Sequence, residues 1–172
     1  MPIAVIAERQ VWVVFTHPTE AAFNPPAHSI AVLPFVNMSG DATQDYFSDG
    51  ISEELLNALS RLNDLQVVAR TSSFSFKGQN VNVSTIAHEL NVGAILEGSV
   101  RRAGNTVRIT AQLINTVTGF HLWSETYDRP FTDIFKVQTE VATAVAQQLP
   151  LLDPIRNEPQ FKALLTQMKF PP

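Results

Sequence analysis

The segment that most restricts the fold is "GSVRRAGNTVRITAQLIN", Gly98 to Asn115. Two runs of alternating apolar and polar residues flank Gly104-Asn105, a dipeptide suited to a two-residue hairpin turn. The turn sets the register. Val100 faces Ile109, Gly98 faces Ala111 and Leu96 faces Leu113, so one face of the ribbon is apolar or small and packs on a core. The other face pairs Arg101 with Arg108, Ser99 with Thr110 and Glu97 with Gln112. Two arginines directly opposite one another repel unless something negative lies nearby. Continuing through a "TVTG" turn (Thr116 to Gly119) places Trp123, Glu125 and Tyr127 on the arginine face. There Glu125 neutralises Arg108, and an aromatic ring stacks on a guanidinium. The five residues Arg101, Arg108, Trp123, Glu125 and Tyr127 have two readings. They are a self-satisfied ribbon surface, or a surface that receives an acidic group from a partner.

The rest of the chain supplies strands and helices in alternation. "SIAVLPFVN", Ser29 to Asn37, reads as a short buried strand, with Pro34 marking an edge or a bulge. Asp41 and Gln44 fit a capping box for a helix reaching about Leu62. Phe47, Ile51, Leu55, Leu59 and Leu62 form its apolar stripe, and Gly50 suggests a close helix–sheet approach. "LQVVAR", Leu65 to Arg70, is a second strand, parallel to the first. Thr71 to Asn82 reads as a loop, followed by a short helix capped by Ser84. Strands follow near Ala94–Arg102, Thr106–Asn115 and Phe120–Tyr127. A last helix over Thr132–Leu149 buries Ile134, Phe135, Val137, Val141 and Val145. The fold class is therefore α/β, a mixed sheet of about five strands in the order β-α-β-α-β-β-β-α, flanked by helices.

Composition narrows the chemistry. The chain has 172 residues, no cysteine and a formal net charge of -4. Thiol catalysis and cysteine-ligated metal sites are excluded. An acidic chain with three clustered arginines does not carry the basic face that nucleic-acid binding needs. No phosphate-binding glycine loop, nucleophile elbow or zinc-protease motif occurs. The four histidines share no ligand spacing, so no metal, cofactor or catalytic residue is assigned and no enzymatic activity is expected. Ligands of open α/β sheets favour the carboxyl ends of parallel strands. Those ends are "NMSGD" and "ARTSS". They nominate Asn37, Ser39, Arg70, Thr71, Ser72 and Ser73 as a site for a small anion, or as loop residues that cap their own backbone.

The two ends read differently from the middle. Ile3 to Phe15 is apolar but broken by Glu8, Arg9 and Gln10, so residues 1–27 are an arm and linker, or a truncated membrane anchor. Residues 28–149 are the α/β domain. Residues 150–172 form a tail in which Phe161, Leu164, Leu165 and Met168 make one helical stripe. That tail docks on the domain or pairs with a second copy.

The stretches "IAVLPFVNMSGDATQDYFSDGISEELLNALSRL", "VVARTSSFSFKGQ", "IAHELNVGAILEGSVRRAGNTVRITAQLIN" and "TGFHLWSETYDRP" resemble the TolB-like amino-terminal, or FlgO-type, domain of bacteria over about Ser29 to Leu149. Longer relatives place this domain after a membrane helix, beside winged-helix or nucleotide cyclase domains and before tetratricopeptide repeats. The resemblance implies a non-catalytic, periplasmic or inner-membrane-associated module for protein interaction or sensing. Its partner would be another envelope protein or a small anionic effector. The N-terminus would add weak membrane association, and the tail would add self-association. A chain that is not exported would be cytoplasmic. The alternative is a fragment of a membrane-linked adenylate cyclase or transcription-regulator system, left by an internal deletion that joined the domain to the family's closing tail.

Overall fold

A computed structural model describes residues 23–63 and 65–148. The expectations for the N-terminal stretch Ile3–Phe15 and for the tail after Gln148 lie outside the described residues.

The elements in chain order are β1 (Ser29–Val32), β2 (Val36–Asn37), α1 (Asp45–Ser60), β3 (Gln66–Val67), α2 (Arg70–Phe74), α3 (Val83–Leu90), β4 (Ala94–Ala103), β5 (Thr106–Asn115), β6 (His121–Pro130) and α4 (Ile134–Gln148). One mixed sheet has the order β3-β1-β4-β5-β6, with β2 also on β4. β1 runs parallel to β3 and β4, and the β4–β5–β6 meander is antiparallel.

The expected strand Ser29–Asn37 is broken, and Pro34 explains why. From Val32 to Val36 the chain advances four residues while β4 advances three, from Leu96 to Ser99. Pro34 lies in this bulge, where it has no N–H to withhold from the ladder. The break leaves the Phe35 amide without a strand partner, and α1 supplies one. Phe35 N donates to Ser52 Oγ at 2.8 Å, and Ser52 Oγ donates to the Ser48 carbonyl at 2.9 Å. Both bonds are buried, and Ser52 is fully enclosed. Ser52→Ala would strand a buried N–H, an expected cost of about 1–3 kcal/mol in chemical denaturation.

Helices cover both faces of the parallel half. On one face α1 and α4 pack Ile51, Leu55, Leu59, Val137, Val141 and Val145 against Ile30, Val32, Leu96, Val100, Ile109 and Leu113. On the other, α3 sets Ile86 and Ala87 over Ala31, Leu33 and Ile95. Because β1 is buried on both faces, its sequence shows no alternation.

Local details depart from expectation. Asp41 caps a 3-10 turn, Ala42–Gln44, accepting from Thr43 N, and α1 begins after that turn. The stretch expected as a loop from Thr71 contains α2, which takes up Arg70 and shortens β3. Asn82, not Ser84, caps α3 through its bond from Thr85 N. Phe135 lies beside the α4 stripe and is 72% exposed. A Cβ at Gly50 would meet nothing within 4 Å, so no close helix approach depends on that glycine.

Candidate functional site

The hairpin register is as the turn residues dictate: Arg101 faces Arg108, Ser99 faces Thr110, Glu97 faces Gln112, and Val100 with Ile109 points to the core. Across β5 and β6 the faces are the reverse of expectation. The turn is the anticipated one, with Asn115 N bonded to the Phe120 carbonyl and Ile114 opposite His121. Between Ile114 and Leu113 the partner then jumps from His121 to Trp123, making Leu122 an extra residue. This one-residue bulge turns every later side chain of β6 to the opposite face.

Trp123, Glu125 and Tyr127 therefore stand opposite Leu113, Ala111 and Ile109, on the helix-covered face. Tyr127 is 7% exposed, and Trp123 packs against the same core. The aromatic pair drives the choice, because the alternative register would turn Ser124, Thr126 and Asp128 toward the helices. Glu125 does not meet Arg108. Its carboxylate accepts from the Tyr127 hydroxyl at 2.9 Å. Arg108 instead holds Asp128 through two bonds, Nε–Oδ1 at 2.7 Å and Nη2–Oδ2 at 2.9 Å. Hydrogen bonding to Arg108 lowers the Asp128 pKa, and the same contact raises that of Arg108.

Tyr127 carries a pH prediction. Burial first, then the hydrogen bond to Glu125, raises its phenol pKa above the ordinary range. A folded pKa above the unfolded one gives stability below the unfolded pKa, lost as pH rises through the folded value. Stability should thus fall from about pH 10 upward. In an ultraviolet titration Tyr127 should ionise late or only on unfolding, and Tyr127→Phe should remove that late component.

The nominated anion residues have separate partners. Asn37 Nδ2 donates to the Asp41 carbonyl and to Asp45 Oδ1, each at 2.7 Å, and Asn37 Oδ1 accepts from Ser39 N. Ser39 Oγ accepts from Arg102 N of β4 at 2.9 Å. These groups bind their own loop and the neighbouring strand. Arg70 is held elsewhere, by Glu53 of α1 at 3.1 Å and over the Phe74 ring at 4.2 Å. Thr71 and Ser72 are exposed on α2, whereas Ser73 is buried with its hydroxyl unpartnered. Asn37 thus caps its own loop, while Ser39 and Arg70 are engaged by β4 and α1.

What the strands do assemble is a groove on the sheet face away from α1 and α4. Val36 of β2, Ser99 of β4, Thr110 of β5 and Thr126 of β6 form one transverse row, each opposite the next. The Thr110 and Thr126 hydroxyls lie 3.1 Å apart. Beside this row a cavity of about 430 Å³ has a wall of Leu33, Val36, Met38, Phe76 and Val81. Its floor includes Glu97, Ser99, Thr110 and Gln112. Val36 and Met38 are 62% and 59% exposed. Lys77, at the rim, is tied to Asp49 at 2.6 Å. The sequence concealed this wall, because Val36 reads as part of a buried strand until the Pro34 bulge separates it from β1. Among the described residues no group of three or more His, Cys, Asp or Glu side chains stands close enough to hold a metal ion. Also among them, no helix is long and apolar enough to cross a membrane.

No family model matches the chain. Over 137 residues it is 50% identical to a protein of Rhizobium meliloti (strain 1021) named "Putative adenylate cyclase 3". The match takes in 77% of this chain but 23% of that protein, so the chain spans under a quarter of its relative's length. Among solved structures the fold is similar to TolB from Acinetobacter baumannii, with a TM-score of 0.54 and 18% identity over 76% of this chain and 30% of that one. It is also similar to lipoprotein GNA1162 from Neisseria meningitidis, with a TM-score of 0.51 and 21% identity over 77% of this chain and 99% of that one. At these identities the likeness establishes a shared α/β fold, a mixed sheet flanked by helices as in the TolB amino-terminal region.

Proposed function

We propose that this chain is a non-catalytic binding module of the bacterial cell envelope, of the TolB-like (FlgO-type) kind, and that a partner sits on the open face of its sheet. The groove of about 430 Å³ carries this reading. It joins an apolar wall to a polar floor that includes Glu97, Ser99, Thr110 and Gln112, the mixture found where orientation is set by few polar contacts. The lipoprotein likeness supports the reading, since the same fold there accounts for 99% of a chain. A small anionic effector is the other ligand class considered. It would now depend on Arg101, because Asn37, Ser39 and Arg70 are committed to their neighbours.

The match to the rhizobial protein favours a second reading, in which the chain belongs to a membrane-linked cyclase system and contributes a binding or regulatory segment to it. Both readings predict that the purified chain forms no cyclic AMP from ATP, and turnover would overturn both. To test the groove, a photo-crosslinking amino acid is placed at Thr110 or, outside the groove, at Tyr46. The proposal expects a defined envelope adduct from position 110 alone, lost when Ser99→Trp fills the floor. Equal adducts from both positions, or adducts indifferent to Ser99→Trp, would refute the groove as the binding surface.

A further inference from the structure

The open face holds two charges that the fold leaves without partners. Glu97 and Arg101 lie on the same face of β4, two alternations apart. Two other charges, at the rim of the groove and on β5, are engaged, Lys77 by Asp49 and Arg108 by Asp128. Among the described residues no hydrogen bond or ion pair engages the Glu97 carboxylate or the Arg101 guanidinium. Arg101 also stands directly opposite Arg108. Asp128 neutralises only one of the two, so this end of the face keeps a net positive charge. Glu97, on the groove floor, makes the other end negative.

We infer that the groove, with the stretch of β4 beyond it that carries Arg101, takes an extended polypeptide segment of a partner, with a basic side chain over Glu97 and an acidic side chain over Arg101. This deepens the binding-module reading and rests on it. The spacing selects the occupant. Four residues of strand separate the two charges by about 13 Å. That equals the distance between side chains four apart, on one face, in an extended peptide. A single amino acid is too short to meet both charges. The strand side of the groove suits a backbone at close range, because Ser99, Thr110 and Thr126 are short. Intervening apolar side chains would cover Val36, Met38 and Val81. Charge complementarity of this kind sets register and orientation more than affinity.

The test uses the full chain and two blocked peptides, acetyl-Lys-Thr-Val-Thr-Asp-amide and its reversed order, titrated by nuclear magnetic resonance. One order should bind, with shifts at Ser99, Thr110 and Val36. Glu97→Gln should weaken that peptide about fivefold at low salt. The same substitution should leave unchanged a peptide whose lysine is replaced by norleucine. Arg101→Gln should show the matching dependence on the peptide's aspartate. Binding of neither order at millimolar concentration, or an effect of Glu97→Gln that ignores the lysine, overturns the inference. The outcomes also separate the two claims. If crosslinking at Thr110 persists and responds to Ser99→Trp but not to Glu97→Gln with Arg101→Gln, the binding module stands and the charge-paired peptide falls. If Ser99→Trp has no effect on crosslinking, the binding surface itself is misplaced.

Discussion

Gly98→Ala is expected to destabilise the domain by about 3 kcal/mol or more, at the upper end of what overpacking costs. An added Cβ would lie 2.2 Å from the Thr110 carbonyl oxygen and 2.6 Å from Cε2 of the Phe35 ring. The first of these is backbone of the paired strand, so it yields only by disturbing the β4–β5 ladder. The second is a core ring 2% exposed, seated beside the Pro34 bulge and held there through the Ser52 bond. Glycine at 98 is thus the recess into which the bulge delivers Phe35. Urea unfolding should show a lower midpoint with an unchanged slope. Gly50→Ala is the control. No atom lies within 4 Å of its added Cβ, so the helical site should gain up to about 1 kcal/mol. A neutral Gly98→Ala would mean that Phe35 does not occupy the recess.

The hairpin was legible because everything that determines it is local. Gly104 takes a φ of 59°, as its turn requires, and the period of two then fixes each pair from Ala103–Thr106 to Ala94–Asn115. The α1 and α4 stripes were legible for the same reason, since both repeat within a few residues. The face of β6 was not. It depends on one bulged residue, Leu122, and nothing in "HLWSETYDRP" marks that position. What decides it is long-range: only the bulged register buries Tyr127 and packs Trp123 against the core, and Asp128 then falls beside Arg108. The groove was hidden by the same kind of cause. The run from Ser29 to Asn37 reads as one buried strand, and only the pairing of its two halves with β4 shows that Val36 has left the core. The residues chosen for an anion site were right in type for strand ends. Three of them have partners that the sequence does not show: Asn37 in its own loop and on α1, Ser39 on β4 and Arg70 on α1.

Val100→Asp is the second large effect expected, a failure to fold. Val100 is fully buried, opposite Ile109 and within the core shared by α1 and α4. It lies among the apolar side chains of that cluster, so the new carboxylate would be desolvated. An uncompensated buried charge typically costs about 3–5 kcal/mol, a large share of the roughly 5–15 kcal/mol that holds a domain together. Loss of the valine's packing adds to it. The expected observation is a chain without a cooperative thermal transition. Arg108→Ala, on the open face, breaks an exposed pair with Asp128 and should fold normally with a melting temperature close to that of the parent. The two substitutions differ in register parity, so together they read which face of the hairpin is the core. A folded Val100→Asp beside an unfolded Arg108→Ala would invert that assignment, and the groove, Glu97 and Arg101 would then point into the protein.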